Sequence, residues 1–315
     1  MKILVTGANG FIGQALCPYL RARGFDVVSV VRRPTGLLDT VIAGDDDEWM
    51  EALKGCSAVI HLAGRAHVMN DRSTEPLQVF RANNVAPTLR LAQQAAAAGV
   101  RRFVFMSTIK VNGESTGPGR SFTEVSPPAP SDPYAVSKWE AEQGLHEFAE
   151  RSGLEVVVIR PPLVYGPGVK GNFASLIKWV TLGVPLPLGA VHNRRSLIGI
   201  GNLIAFATLC ADLVASPHAR GETFLVSDGD AISTTDLLRK VAVAFGCQSR
   251  LLPIPAWLMH GCARVTGQSA KIDRLLESLL IDDTKARHLL GWTPSVTIDD
   301  QLRLMATAQR INLSL

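Results

Sequence analysis

A tyrosine and a lysine four residues apart, in Tyr134-Ala-Val-Ser-Lys138, carry the sharpest chemical signal in the chain. On a helix that spacing puts both side chains on one face. A phenol with a free pKa of about 10 is a poor acid or base at neutral pH, but a nearby ammonium favours the phenolate and lowers that value. Lys138 would supply the charge to Tyr134. Ser131-Asp132-Pro133, just upstream, reads as a helix cap with proline in the first turn, so the pair falls at the start of a helix. The same spacing also arises on ordinary surface helices, and context has to decide between the two. That context is the strand-like run 103–106, which ends in Ser107-Thr108. These are two hydroxyls at the carboxyl end of a strand, where the clefts of parallel sheets open.

A second constellation opens the chain. Met1-Lys-Ile-Leu-Val-Thr-Gly-Ala-Asn-Gly-Phe-Ile-Gly13 reads as a short apolar strand, a glycine-rich turn and a helix continuing to about Arg23. Gly7 would allow the sharp turn, Gly10 the approach of a pyrophosphate to the backbone, and Gly13 close packing of helix on strand. The phosphates would then lie at a helix N-terminus, where free N–H groups and the dipole favour an anion. The second strand ends Val30-Val31-Arg32-Arg33, with no carboxylate to accept a bond from a ribose 2′-hydroxyl. An arginine there suits a 2′-phosphate, which predicts NADP(H) over NAD(H), with Arg32 the leading contact and Arg33 the second. The plain alternative is two exposed arginines beginning a loop.

These motifs need a scaffold. Continuously apolar runs at 3–6, 27–31, 40–43, 58–62, 103–106, 156–159 and 224–226, separated by helical stretches, predict an α/β fold with a Rossmann-type, doubly wound parallel sheet of about seven strands. After about residue 169 prolines and short helices predict a smaller C-terminal lobe. Asp45-Asp-Asp-Glu48 predicts a cap for a helix at 49–54, and Asp45 is also placed to reach an adenine. Composition fits this reading. The chain has 315 residues, 47% of them hydrophobic, and a net charge of only +4 from basic residues spread along its length. Neither nucleic acid nor a membrane surface is suggested by that balance. The run 203–211 is too short to span a bilayer. Five separated cysteines without Cys-x-x-Cys spacing predict free thiols, with neither a disulfide framework nor a metal site. No signal peptide is visible, so a cytoplasmic protein is expected.

The residues resemble those of the extended short-chain dehydrogenases/reductases, the family of nucleotide-sugar epimerases, dehydratases and reductases. The similarity rests on Thr6-Gly7-x-x-Gly10-Phe11-Ile12-Gly13, His61-Leu62-Ala63-Gly64, Asn84-Val85 with Thr88, Tyr134-x-x-x-Lys138, Arg160-Pro161, Tyr165-Gly166-Pro167 and Leu290-Gly291-Trp292-Thr293-Pro294, and covers nearly the whole length. It implies that Tyr134 is the catalytic acid/base and that Lys138 binds the nicotinamide ribose and lowers the tyrosine pKa. A hydroxyl holds the substrate oxygen: Thr108 first, counting back from Val111-Asn112-Gly113, and Ser107 second. It further implies cofactor contacts at Gly7, Asn9, Gly10, Phe11, Ile12, Gly13, Leu62, Ala63, Gly64, Asn84 and Pro161, beside Arg32, Arg33 and Asp45. Substrate contacts are implied at Asn172, Phe173 and Arg195. An arginine fork is suited to a diphosphate, although Arg194-Arg195 also reads as a solvated surface pair. The implied organisation is a dinucleotide-binding domain over 1–168, rejoined by a strand near 223–227, and a mainly nucleotide-sugar-binding lobe over 169–315.

Three departures from the family pattern narrow the function. Thr108 is followed by Ile109-Lys110 instead of the Asp-Glu pair of 4,6-dehydratases, so dehydration is not expected. Leu163 stands where many relatives carry asparagine, and Pro87 replaces the usual glycine before Thr88. The resemblance is nearest to bacterial surface-polysaccharide enzymes that reduce UDP-4-keto-6-deoxy-N-acetylhexosamines, and an NADPH-dependent 4-ketoreductase is the leading expectation. A UDP-hexose 4-epimerase is the alternative, and a catalytically silent NADP sensor an alternative of another class. The expected partner is a UDP-sugar, with no nucleic acid and no membrane insertion, in a homodimer formed through helices around 87–98 and 134–151.

Overall fold

The first strand of the chain becomes the middle of the sheet. The computed structural model describes residues 1–32, 40–42, 49–66, 75–266 and 269–314. In chain order the strands are β1 (Lys2–Thr6), β2 (Asp26–Val31), β3 (Thr40–Ile42), β4 (Ala58–His61), β5 (Arg102–Met106), β6 (Glu155–Arg160), β7 (Leu163–Tyr165), β8 (Leu197–Gly199) and β9 (Thr223–Leu225). Seven of them form one sheet in the order β3-β2-β1-β4-β5-β6-β9, every pair parallel, while β7 and β8 pair with each other. The order reverses between β1 and β4. Loops leaving the carboxyl ends of these two strands diverge to opposite sides, and the crevice between them is where such sheets bind ligands.

The helices, in chain order, are α1 (Phe11–Ala22), α2 (Met50–Leu53), α3 (Pro76–Asn84), α4 (Ala86–Ala97), α5 (Pro133–Ser152), α6 (Gly171–Thr181), α7 (Ile200–Ala211), α8 (Thr234–Phe245), α9 (Ala256–Thr266), α10 (Ser269–Leu276), α11 (Thr284–Leu290) and α12 (Ile298–Ser314). Successive strand residues point to opposite faces of the sheet. Accordingly Ile3, Val5, Ile60, Val104 and Ile159 join a core with α1 and α7, while Leu4, Val59, Phe103, Phe105 and Val158 join another with α4 and α5. Both faces are dry, which is why the runs are apolar without alternation. A third core gathers Tyr165, Phe173, Val180, Leu186, Leu238, Met259 and Leu302 from β7, α6, the segment after α6, α8, α9 and α12. Across the main sheet, Arg102 is buried and fixed. Its guanidinium meets Glu155 at 2.7 Å and the carbonyls of Cys210 and Ser216 at 3.1 and 3.0 Å, tying β5 and β6 to the end of α7.

All seven expected strands lie in the sheet. The pair β7 and β8 was not anticipated, since three-residue strands beside Pro161-Pro162 leave little periodicity to read. Helix α2 begins after Trp49 with no side-chain cap; the expected capping run at 45–48 lies outside the described residues. Cys17, Cys56, Cys210 and Cys247 are free thiols. Among the described residues no helix is long and apolar enough to cross a membrane, and no group of three or more His, Cys, Asp or Glu is arranged to hold a metal.

Candidate active site

The turn after β1 is built to admit a dinucleotide. Gly7 has φ +65°, and a Cβ there would stand 3.0 Å from the Ala63 amide nitrogen. A Cβ on Gly13 would come within 2.3 Å of the Gly7 carbonyl oxygen, so only glycine lets α1 lie this close to the turn. No side chain caps α1, and its first turn holds no acidic residue. Phe11 and Ile12 thus offer the backbone N–H groups of an uncapped helix start. Asn9 and Gly10 are exposed on the turn. The cradle fits the pyrophosphate of a nicotinamide dinucleotide.

Opposite the turn, Leu62-Ala63-Gly64 leaves β4, held by the Leu62 and Ala63 N–H groups donating to Thr6 Oγ1 at 3.2 and 3.1 Å. With two bonds already accepted, that hydroxyl gives its own proton to His61 Nδ1, 2.8 Å away. His61 therefore carries its proton on Nε2 and donates to Thr88 Oγ1 at 2.9 Å, and Thr88 donates to the Asn84 carbonyl at 2.6 Å. Burial, with a smaller contribution from the charge on Lys138, holds the His61 pKa down to about 3, so the ring stays neutral. Asn84 extends the chain of bonds: its carboxamide accepts from Arg65 N and donates to Arg65 O and to Ser137 Oγ, and Ser137 donates to the Tyr134 carbonyl. The turn after β1 and the start of α5 are thereby joined through five buried polar side chains. The Asn84 carboxamide makes three bonds within the fold, both N–H groups donating and the oxygen accepting once. Sequence reasoning did not find this chain, although a histidine closing the apolar run 58–61 was its visible trace.

Helix α5 starts as expected, with Asp132 Oδ1 accepting from Ala135 N at 2.7 Å and Pro133 in the first turn. Tyr134 and Lys138 share a face. The Tyr134 ring meets Phe80 edge-on at 6.1 Å, and Lys138 Nζ sits 4.0 Å from the centre of the Phe105 ring. A Cβ on Gly64 would lie 3.9 Å from that ammonium, so Lys138 reaches from α5 to the loop after β4. The expected tuning needs correction. In the free chain burial, then the charge of Asp132, pushes the Tyr134 phenol well above its ordinary value. Burial also brings Lys138 down to about 7, against the pull of Glu142. Desolvation outweighs the expected attraction in both groups.

The two candidate hydroxyls separate clearly. Ser107 is buried and donates to Glu142, which is itself locked to Arg160 by bonds of 2.5 to 3.1 Å; Arg160 Nη1 reaches Asn112 Oδ1 at 3.1 Å. Thr108 is half-buried, and among the described residues its oxygen accepts one long bond, of 3.3 Å, from Lys110 N. Of the two hydroxyls Thr108 is the less engaged. Pro161 is buried, and its carbonyl accepts from Ile109 N at 2.9 Å, bracing the same turn. Lys110 pairs with Asp132 and, at 2.9 Å, with Glu114, so the turn carrying Thr108 is clamped to the cap of α5.

Arg195 is held by segment 277–281, which is bonded in turn to segment 114–122. Its Nη1 donates to the Glu277 carbonyl at 2.9 Å, and Thr116 N donates to Ser278 O at 2.8 Å. Burial lowers the Arg195 pKa, opposed by Glu277 and Glu114. Arg194 is exposed. Phe173 is buried against Tyr165 at 5.6 Å and offers a ligand only backbone. Asn172 is exposed on the first turn of α6, with no side-chain hydrogen bond among the described residues. Arg32 is exposed directly after β2; Arg33 and Asp45 lie outside the described residues.

With this geometry the comparisons with known proteins agree. Residues 3–223 match the NAD dependent epimerase/dehydratase family. UDP-glucose 4-epimerase of Vibrio cholerae is 41% identical over 316 residues, spanning 98% of this chain and 95% of that protein. Among solved structures, UDP-glucose 4-epimerase of Thermotoga maritima with UDP-glucose aligns at a TM-score of 0.79 and 25% identity, over 99% of this chain and 100% of that one. MoeE5 in complex with UDP-glucose and NAD aligns at 0.77 and 27%, again over 99% and 100%.

Proposed function

The chain belongs to the NAD-dependent epimerase/dehydratase family, among the extended short-chain dehydrogenases/reductases, and on that premise we propose that it acts at C4 of a UDP-linked hexose as a 4-epimerase. The observation that carries this reading is the 41% identity to the Vibrio cholerae enzyme over 98% of the chain. It is supported by Tyr134 and Lys138 on one face of α5, whose cap Asp132 is bound by Lys110 of the turn that carries Thr108.

In this proposal Gly7, Gly10, Gly13 and the start of α1 hold the cofactor pyrophosphate, and Lys138 holds the nicotinamide ribose. The nicotinamide, when bound, supplies a hydride acceptor and donor. Tyr134 takes the proton of the C4 hydroxyl and returns it, Thr108 fixes the position of that oxygen, and Arg195 faces the diphosphate. Elimination has no support. Where a dehydratase needs two carboxylates after its threonine, the chain has the buried Ile109 and a lysine engaged with Asp132 and Glu114.

A second reading, net reduction of a UDP-4-keto-6-deoxy-N-acetylhexosamine in surface-polysaccharide synthesis, is favoured by one observation. Arg32 leaves β2 with no carboxylate at that position, which suits a 2′-phosphate. The deciding experiment incubates the purified chain with UDP-glucose and UDP-N-acetylglucosamine, and separately with 4-keto sugar and NADPH. Formation of the galacto epimers without net change at the nicotinamide absorbance supports epimerisation. One NADPH consumed per keto sugar replaces it with reduction, and cofactor binding with turnover in neither assay leaves a sensor. We propose a homodimer through α4 and α5, which sedimentation would test, and a cytoplasmic location, which fractionation of cells would test.

A further inference from the structure

The outer side of the third core carries an apolar surface. Val180, Leu186, Leu251 and Met259 point into that core, from the end of α6, the segment after it, the segment before α9 and α9 itself. These segments lie together: Val184 N donates to Trp179 O at 3.0 Å, Leu186 N to Arg250 O at 2.9 Å, and Leu252 N to Leu186 O at 2.8 Å. Their neighbours Trp179, Leu182, Val184, Leu252, Trp257 and Leu258 face outward, with Trp257 73%, Leu182 66% and Trp179 45% exposed. Scattered exposed apolar residues are ordinary, but two tryptophans and four aliphatic side chains on adjoining segments mark an interaction face.

Charge says what the face meets. Segments 178–186 and 250–258, which carry it, contain no aspartate or glutamate and two cations, Lys178 and Arg250, although the whole chain holds 28 acidic residues against 32 basic. The near-balance of the total conceals this local excess. Lys178 and Arg250 are exposed beside Trp179 and Leu251. Asp273, the first carboxylate after α9, lies 3.2 Å from His260 Nδ1.

We propose that this face is a docking surface for an anionic phospholipid bilayer, with Trp179 and Trp257 at headgroup level and Lys178 and Arg250 on lipid phosphates. Indole rings are apolar bodies with one polar N–H and settle at that interface. Apolar burial and attraction to anionic lipid act together in such peripheral binding. No spanning segment is involved. The binding does not depend on which sugar the chain acts upon.

The test is flotation of the full chain with vesicles of phosphatidylcholine, with and without phosphatidylglycerol, read together with tryptophan emission. The expected result is flotation with the anionic vesicles alone, a blue shift, and loss of most binding as salt shortens the Debye length from about 10 Å to about 3 Å. Trp179→Ser/Trp257→Ser should cut partitioning by about tenfold or more. Lys178→Glu/Arg250→Glu should cut it by at least about fivefold per cation. Both variants should keep the wild-type melting temperature and its rise with added cofactor, which shows that they fold. Absence of flotation with either vesicle, or equal flotation of folded variants, would overturn the proposal. So would self-association abolished by the tryptophan pair without any lipid binding, which would give the face to a second copy of the chain.

Discussion

Tyr134 in the free chain is a phenol that holds its proton, which makes it a donor first and a base only when something lowers its pKa. Turnover should therefore fall by roughly two to four orders of magnitude in Tyr134→Phe, with cofactor affinity little changed. Steady-state rates beside a cofactor titration measure both, and near-normal turnover would remove Tyr134 from the chemistry. Lys138 gives a separate signature. Its pKa is about 7 in the fold against 10.5 when free, so between those values the unfolded chain binds more protons and raising the pH stabilises the fold. Below about pH 7 the buried charge is a standing cost. Lys138→Met should melt above wild type at pH 6.5 and lose that advantage toward pH 10; a gap that does not change with pH would contradict the burial argument. The Tyr/Lys spacing was legible because it is a local pattern. The sign of the shift was not, because desolvation depends on Phe105, Phe80 and other neighbours far away in sequence.

Helix α5 brings several of these groups into place, and its start is held from both sides. Asp132 caps it through Ala135 N and binds Lys110 of the preceding turn. Burial acts to raise the Asp132 pKa, but bonds from Lys110 and Ala135, with the charges of Lys110 and Arg274, hold it below 3.8. The stabilisation is thus fully present above the unfolded pKa and is lost as pH falls through the folded one. Asp132→Ala should cost about 1 kcal/mol in denaturant unfolding at pH 7, with the difference from wild type shrinking below pH 4. A difference that persisted at pH 2 would deny the carboxylate its role. The cap was readable from Ser131-Asp132-Pro133, and the seven sheet strands from their unbroken apolar runs. The Ser107–Glu142–Arg160 and Arg102–Glu155 clusters were not, since a charged residue in a strand gives no sign of its partner until the sheet sets Arg102 beside Glu155.

At the scale of the whole molecule the open choice is the cofactor, and stability can read it. A ligand that binds only the folded state adds about 2.7 kcal/mol at a hundredfold excess over its Kd. If the epimerase reading holds, NAD should raise the melting temperature by several degrees and NADP by less. The reverse order, with the NADP effect lost in Arg32→Ala, would support the reductase reading. The main sheet closes late in synthesis. Its last strand, β9, pairs with β6 through Val158–Thr223, Ile159–Phe224 and Arg160–Leu225, so residues 161–222 must be synthesised before β6 is covered. At 5–20 residues per second that leaves roughly 3–13 s during which a nascent chain shows an unpaired parallel edge to its surroundings. A chaperone that occupies that edge during translation should raise the yield of soluble protein. A gene fragment ending at residue 168 would keep the edge open permanently, so the half of the chain that most resembles a free-standing nucleotide module is the half that should aggregate when expressed alone.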